Sequence, residues 1–252
     1  MHKNFANTRF LGKSITSLPE CHSTNDFMAQ LAAKQQVSHG DILTADFQTQ
    51  GKGQRGNSWT SEKGKNLLFS IFLKPPFLKI EDIFLLNIIA GLAGTQLIND
   101  IVPEAQCQLK WPNDVYVKGN KISGILIETS ISKQLDFVVA GIGFNVNQSH
   151  FALPTATSLK IETGKDHDLF SVLEKYAHAF ENYYGLLESG EKNRVLRTYH
   201  DKMYWRGEVH TYRSHGEEFE AELIGINETG NLVLNCAGIS KQFRTKEIEF
   251  VS

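Results

Sequence analysis

KWPNDVYVKGNKISGILIE, residues 110–128, is the stretch of this chain whose pattern says most about the fold. Val115-Tyr116-Val117 and residues 122–127 are rich in β-forming side chains, and Gly119-Asn120 stands between the two runs. Turn residues between two such runs are typical of a β-hairpin. The pattern therefore predicts two paired strands with Lys121 at the start of the returning strand, and a short strand at 106–110 leads into the hairpin.

A polar, basic and glycine-rich segment, QTQGKGQRGNSW at residues 48–59, lies upstream between two strand-like runs at 41–47 and 66–73. Its glycines let the backbone approach a ligand closely, and Lys52 and Arg55 add positive charge. This combination suits a phosphate or another anion, and a mobile surface loop is the alternative interpretation. Little apolar surface offsets the entropy of ordering these residues, so we expect the loop to be mobile in the empty protein.

The other patterns predict an alternation of strands and helices, followed by a region that contains only short strands. Ser23 or Thr24 is expected to cap the first helix. The second helix is apolar enough to be buried but too short and too polar to span a bilayer. From residue 207 onward, short alternating runs divided by turn residues predict a small antiparallel barrel. We expect strands at 14–19 and 135–144, helices at 25–36, 81–100, 168–188 and 192–200, a loop-like stretch at 151–163, and two domains at 1–203 and 204–252.

Composition excludes several classes of function. The 252 residues carry a formal net charge of −2 and 41% apolar side chains, so no overall field favours nucleic acid or an anionic membrane. The cysteines show no CxxC spacing, which is typical of a protein of the reducing cytosol. Residues 1–13 lack the apolar core of a signal peptide. The histidines show no metal-ligand spacing, so we assign none of them to a metal.

Two further motifs complete a set of four. Ser23-Thr24-Asn25 precedes the basic loop, and GIGFNVN at residues 141–147 follows the hairpin. In this order the four segments resemble the motifs of the biotin protein ligases, which are an early STN, a GRGRRG-x-W loop, a KWPND…KxxGIL hairpin and GIGxNVN. The resemblance covers about residues 15–250. It departs from the family where Gln54 replaces the middle arginine of the loop and Asn57 replaces another basic residue.

The resemblance implies an α+β fold, with a mixed β-sheet and helices on one face, similar to class II aminoacyl-tRNA synthetases. A small C-terminal SH3-like β-barrel follows in this family. The implied activity is that of a ligase, which joins biotin and MgATP into biotinyl-5'-adenylate and then transfers biotin to a lysine of a carrier domain. Such chemistry requires cations around two anions rather than a nucleophilic side chain.

The resemblance also implies roles for individual residues, and each role has a structural alternative. Lys121 and Arg55 are the expected catalytic residues, with Arg55 retaining the adenylate in place of the arginine missing at Gln54. Asp114 is the expected Mg²⁺ ligand. Capping explains Ser23 and Thr24 equally well, a bulge explains Gly124, and turn chemistry explains Asn113 and Asp114. The expected biotin contacts are Ser23, Thr24, Asn25, Gln48, Gly51, Lys52, Trp59, Lys121, Gly124 and Ile125, and the expected nucleotide contacts are Lys52, Arg55, Lys110, Asn113, Asp114 and Asn145.

The expected partners are biotin, ATP with Mg²⁺, and the carrier domain of a biotin-dependent carboxylase. Because the catalytic resemblance begins near residue 15, we expect no DNA-binding domain, no DNA partner and no membrane partner, and a cytosolic location. A homodimer is left open. Two other functions are also left open, namely a ligase for lipoate or octanoate and a non-enzymatic biotin sensor. Pyrophosphate release from ATP, with biotin and lipoate tested in parallel, separates all three.

Overall fold

The computed structural model of this chain describes residues 4–251, including the backbone but not the side chain of Arg55. Its main sheet is mixed and has the strand order β1-β2-β3-β7-β6-β5-β4, in which β1 and β2 pair in parallel and the other neighbours are antiparallel. The strands are β1 (Ile15–Leu18), β2 (Ile42–Ala45), β3 (Leu67–Leu73), β4 (Cys107–Lys110), β5 (Asp114–Val117), β6 (Asn120–Ile131) and β7 (Leu135–Phe144).

Helices cover both faces of this sheet. They are α1 (Thr24–Ala33), α2 (Phe84–Ile101), α3 (Leu159–Thr163), α4 (Leu169–Glu188) and α5 (Lys192–Asp201). Helices α2, α4 and α5 pack against one another on one face. Met28 of α1 instead packs with Leu43, Phe72 and Val139 in a separate cluster on the other face. The predicted class, a mixed sheet with helices, is confirmed, but the expectation that all helices share one face needs this correction for α1.

Helix α2 forms the centre of the larger core. Within the described residues it is the one helix long and apolar enough to cross a membrane, yet most of it is buried inside the protein. Its Ala90 carbonyl accepts a 2.9 Å hydrogen bond from the buried hydroxyl of Tyr176 on α4. Its burial confirms the predicted core helix, whereas the expectation that it is too short and too polar to span a bilayer was wrong.

The hairpin lies where the sequence predicted it, but its turn is one residue earlier. Lys118 and Gly119 have φ angles of 49° and 78°, so both central residues are left-handed, as a two-residue type I′ turn requires. Asn120 already belongs to β6. The register shift in this pair lies between Val115 and Tyr116, and Gly124 pairs regularly with Asp114. The interpretation of Gly124 as a bulge glycine is therefore wrong.

A second, five-stranded antiparallel sheet follows α5, in the order β11-β10-β9-β8-β12. Its inner side buries Tyr212, Leu223 and Leu234 completely, which is consistent with the predicted small barrel. The last strand was not predicted, because two residues carry no periodicity. The strands are β8 (Val209–Ser214), β9 (Glu217–Ile226), β10 (Leu232–Cys236), β11 (Ile239–Phe243) and β12 (Glu249–Phe250). The boundary between domains at 203 and 204 stays a prediction.

One other difference concerns the stretch at 151–163. It was expected to be a loop, but its last part is helix α3, capped by the Ser158 hydroxyl, which accepts a 3.2 Å hydrogen bond from the Ile161 N–H. A single helical turn is too short to show a helical period in the sequence.

A buried hydrogen bond joins the second sheet to the start of the hairpin. The indole Nε1 of Trp111 donates to the Gly230 carbonyl at 2.9 Å. Gly230 has a φ of 83°, and a Cβ there would lie 2.3 Å from the ring of Phe84 on α2. The turn between β9 and β10 therefore packs against both the hairpin and α2.

Candidate active site

A cavity of about 390 Å³ opens where the basic loop, the start of α1, the hairpin, β7 and β12 meet. Most of the residues selected from the sequence line it, although they come from three separate stretches of the chain. Those that line it are Ser23, Thr24, Asn25, Gln48, Lys52, Trp59, Lys110, Asn113, Asp114, Lys121, Gly124 and Ile125.

Gln48 presents a hydrogen-bond donor at one end of the cavity. Its side-chain oxygen accepts hydrogen bonds from the N–H of Thr24 at 2.7 Å and from the Thr24 hydroxyl at 3.0 Å. These two contacts fix the orientation of the amide. Its NH₂ group has no hydrogen-bond partner within the described part of the chain, so it is free to donate to a ligand carbonyl.

Asn25 is held from both ends of its amide. The Nδ2 donates to the Leu126 carbonyl at 3.2 Å and to a Glu128 oxygen at 2.8 Å, while the Oδ1 accepts from the Ser70 hydroxyl at 2.6 Å. A Cβ at Gly141 would lie 2.3 Å from this Oδ1, so only glycine leaves room for the side chain. Asn25 therefore shapes the wall of the cavity, with its polar groups already satisfied by protein.

Trp59 lies flat against glycines of the sheet. A Cβ at Gly143 would lie 2.3 Å from the Trp59 ring, and one at Gly124 would lie 2.9 Å from it. The indole Nε1 is buried and has no hydrogen-bond partner within residues 4–251. Since an unpaired buried donor is costly, this group is a candidate to bind a ligand acceptor. Gly124 and Gly143 are thus needed for space.

The other end of the cavity is cationic. The Lys121 ammonium lies 2.7 Å from a carboxylate oxygen of Asp114, and both side chains are mostly buried. Burial raises the pKa of the Asp114 carboxyl, and the ammonium groups of Lys121 and Lys110 oppose that rise. Burial also lowers the pKa of Lys110; Asp114 counters this effect and Lys121 adds to it. Two cations and one carboxylate at this end favour binding of an anion.

The basic loop folds back on itself and is tied to α1. The Gly53 N–H donates to the Asn57 carbonyl at 2.7 Å, and the Lys52 ammonium lies 2.5 Å from a carboxylate oxygen of Asp26. Gln54 begins a short 3-10 turn, and its side-chain oxygen is buried without a partner among the described residues. The side chain of Arg55 lies outside the described part of the chain, so its role stays a prediction.

Two predicted contacts do not reach the cavity. Asn145 is buried behind it, and its Nδ2 donates to the Thr157 carbonyl at 3.0 Å, because β7 ends just before this residue and turns it toward α3. Gly51 is also buried, its carbonyl accepts a 2.8 Å hydrogen bond from the Trp59 N–H, and a Cβ there would lie 2.4 Å from the Trp59 carbonyl. The nucleotide contact of Asn145 and the biotin contact of Gly51 therefore stay predictions.

Several lining residues were not predicted. Gly141 and Gly143 had a signal, since they belong to the GIGFNVN motif, but only Asn145 was selected from it. Residues of the final strand had none, because nothing local in the sequence shows that the second sheet would reach the hairpin. The unpredicted lining residues are Gly53, Gln54, Asn57, Ser58, Trp111, Pro112, Leu126, Gly141, Ile142, Gly143, Ile248, Glu249 and Phe250.

The mixed sheet matches that of a solved ligase, which places this chain among the ligases whose fold is related to class II aminoacyl-tRNA synthetases. More particularly, the chain belongs to the biotin/lipoate A/B protein ligase family, whose model matches residues 18–145. The resemblance found in the four motifs is confirmed.

The individual proteins to which this chain is similar are ligases as well. The bifunctional ligase/repressor BirA of Bacillus spizizenii is 27% identical over 250 residues, which cover 96% of this chain and 75% of the relative. The biotin–[acetyl-CoA-carboxylase] ligase of Mycobacterium tuberculosis is 36% identical over 151 residues, covering 58% of this chain and 55% of the relative. The structure of the biotin protein ligase from Aquifex aeolicus in complex with biotin and ATP matches with a TM-score of 0.79 at 30% identity, covering 94% of this chain and 98% of that one.

Proposed function

We propose that this chain is a biotin protein ligase, which makes biotinyl-5'-adenylate and pyrophosphate from biotin and MgATP. It then transfers the biotinyl group to a lysine of a carrier domain and releases AMP. The observation that carries the proposal is that one cavity joins the oriented amide of Gln48 to the paired charges of Lys121 and Asp114. A neutral polar head and a carboxylate at the two ends of one ligand fit such a cavity.

At the neutral end, the NH₂ group of Gln48 suits the ureido carbonyl of biotin. Trp59 and Ile125 line the cavity beside it, and these apolar side chains suit the ring and chain of biotin. Ser23 is buried there, and its hydroxyl caps helix α1 at 3.5 Å from the Asp26 nitrogen. In the proposed enzyme the same side chain both caps the helix and contacts biotin. The wall supplied by Asn25 excludes water without competing for the ligand.

At the cationic end, the protein stabilises charge rather than forming a covalent bond of its own. A biotin carboxylate oxygen attacks the α-phosphorus of ATP, the bond to the bridging oxygen breaks, and pyrophosphate leaves with the electron pair. In the second step the acceptor amine attacks the biotinyl carbonyl carbon and AMP leaves. Lys121 and Lys110 hold positive charge where the negative charge on the phosphate spreads in the first step.

The residues at this end suit a magnesium ion that arrives with the nucleotide. Within residues 4–251 no group of three or more His, Cys, Asp or Glu could hold a metal. Asp114 is a mostly buried carboxylate, and the Asn113 amide points its Nδ2 to the Ile125 carbonyl at 2.8 Å, which leaves its oxygen available. Few protein oxygens together with substrate phosphates are the usual Mg²⁺ environment. Bound there, Mg²⁺ would neutralise phosphate charge.

The remaining parts of the proposal concern context. We place the enzyme in the cytosol, with the carrier domain of a biotin-dependent carboxylase as its protein substrate and without sequence-specific binding to DNA. We also propose that the chain divides into two domains between residues 203 and 204. The first strand of the second sheet begins shortly after this boundary, at Val209.

The test is pyrophosphate release from MgATP with biotin, lipoate or octanoate in parallel, followed by mass spectrometry of an added carrier domain. We expect release with biotin and a single biotinylated lysine on the carrier. Release with lipoate but not with biotin would overturn the proposal in favour of the other branch of the family. Biotin binding without any pyrophosphate would indicate a sensor.

A further inference from the structure

Lys110, at the end of β4, has an unusual environment for a lysine. Its ammonium lies over the faces of four aromatic rings, each within 6 Å, the range in which a cation is attracted to a ring. The distances to the ring centroids are 5.3 Å for Tyr116, 5.6 Å for Tyr204, 5.6 Å for Trp205 and 5.2 Å for Phe250. We call these four residues the aromatic cage.

The cage is assembled from three parts of the chain. Tyr116 belongs to β5, Tyr204 and Trp205 follow α5, and Phe250 belongs to β12. The rings also hold one another, since the Trp205 centroid lies 4.9 Å from that of Tyr204 and 5.5 Å from that of Phe250. The last strand of the second sheet therefore closes a structure that begins on the main sheet.

The ammonium in this cage has no polar partner. Lys110 makes no ion pair within 4.0 Å and no side-chain hydrogen bond within the described part of the chain. Burial lowers the pKa of Lys110, and Asp114, whose charge opposes this effect, is already paired with Lys121 at 2.7 Å. Lys110 also lines the cavity, and its ammonium has N–H groups with which to contact a ligand there.

We propose that Phe250 and Trp205 are positioning residues for nucleotide activation, which hold the Lys110 ammonium against the polyphosphate of ATP and make β12 part of the nucleotide site. This inference rests on the proposed function. A carboxylate in place of the rings would fix the ammonium but neutralise it. Ring faces restrain the ammonium through their quadrupoles and leave its full charge and its N–H donors for the phosphates.

The first test replaces Phe250 with leucine, which keeps an apolar side chain but removes the ring. We expect the KM for ATP to rise about 3- to 10-fold, with the Kd for biotin unchanged, because cation–π contacts of this kind are of moderate strength. Phe250→Tyr should retain the wild-type KM. Phe243→Leu is the matched control, since Phe243 packs on Phe219 in the same sheet and does not line the cavity.

A double-mutant cycle distinguishes positioning from general support of the sheet. If Phe250 acts through Lys110, Phe250→Leu should have no further effect on the KM for ATP in a Lys110→Gln background. Additive effects, or an equal rise in Phe243→Leu, would overturn the inference. If Phe250→Leu fails to fold, a series of fluorinated phenylalanines at 250 keeps the shape and weakens the ring face; a KM that does not rise with fluorination overturns it equally.

Direct titration of the protein with MgATP separates this inference from the proposed function. Weaker ATP binding in Phe250→Leu but not in Phe243→Leu supports the aromatic cage even if biotin yields no pyrophosphate, in which case only the proposed function is overturned. Unchanged ATP binding together with an unchanged KM in an active enzyme overturns the cage alone.

Discussion

The Lys121 ammonium lies 2.7 Å from a carboxylate oxygen of Asp114, across the two strands of the hairpin. The two residues therefore hold opposite charges together at the cavity before any ligand binds. Burial raises the pKa of Asp114 despite this neighbour. The cost of burying the two charges therefore offsets most of their attraction, and the pair does not strongly stabilise the fold. An incoming carboxylate or phosphate offers Lys121 a second anionic partner at the same place.

Lys121→Ala should reduce the rate of pyrophosphate release by on the order of 10²-fold or more, because it removes a cation that acts mainly in the transition state. The Kd for biotin should change much less. Pyrophosphate release and isothermal titration with biotin give the two quantities. Lys118→Ala is the control, since Lys118 lies in the hairpin turn and pairs with Glu162 at 3.1 Å, away from the cavity. A near-normal rate in Lys121→Ala would contradict the assigned role.

Arg55→Gly should still form adenylate but lose it to solvent, so that unrelated proteins become biotinylated. Our hypothesis is that Arg55 retains the intermediate in place of the arginine missing at Gln54, since guanidinium can contact phosphate in a bidentate manner. The half-life of the enzyme-bound adenylate, measured by rapid filtration, is the relevant quantity. Unchanged retention in Arg55→Gly, with leakage in Gln54→Gly or Lys52→Gly instead, would move the role to another residue of the loop.

Gly143→Ala should weaken biotin binding about 10-fold or more, because overpacking of this kind costs roughly 1–3 kcal/mol. The new Cβ would lie 2.3 Å from the Trp59 ring, which would have to leave the sheet. Gly185→Ala is the control, since nothing lies within 4 Å of a Cβ there, on helix α4. Isothermal titration with biotin measures both variants, and an unchanged Kd in Gly143→Ala would show that Trp59 is free to move.

Glu181→Gln should destabilise the fold by about 1 kcal/mol or less, since solvent screens this partly exposed carboxylate. The Glu181 carboxylate accepts hydrogen bonds from the backbone N–H groups of Arg9, Phe10 and Leu11 at 2.5, 2.8 and 3.0 Å. Burial disfavours the charged form, but these bonds outweigh it, so the pKa of Glu181 is lowered from its ordinary value of 4.5.

The sign of this pKa shift determines how the effect depends on pH. A lowered pKa means that the stabilisation is fully present above pH 4.5 and is lost as the pH falls through the lower folded-state value. Urea unfolding of wild type and Glu181→Gln should therefore differ at pH 7 and converge in acid. Glu174→Gln, whose side chain makes no hydrogen bond or ion pair among the described residues, is the control. A difference that grows in acid would contradict the assignment.

Local sequence was a good guide to elements and motifs. The hairpin, the long helices and β7 lie within a few residues of their predicted positions, because periodicity and turn chemistry act over short stretches. Local sequence was poor where an element is too short to have a period, as for α3 and β12. It also could not show which face of the sheet α1 would cover, since that depends on the crossing of distant strands.

For the site, the sequence by itself determined which residue types were available: the basic loop, the KWPND segment and Lys121, whose motif identified the family. Only the tertiary structure decided how they are used. It bonded the Asn145 amide to the Thr157 carbonyl, satisfied both ends of the Asn25 amide with protein, and brought Phe250 to Lys110 across 140 positions of chain numbering. The physical reason is that side-chain patterns specify local backbone, whereas contacts between distant residues follow from the packing of whole sheets and helices.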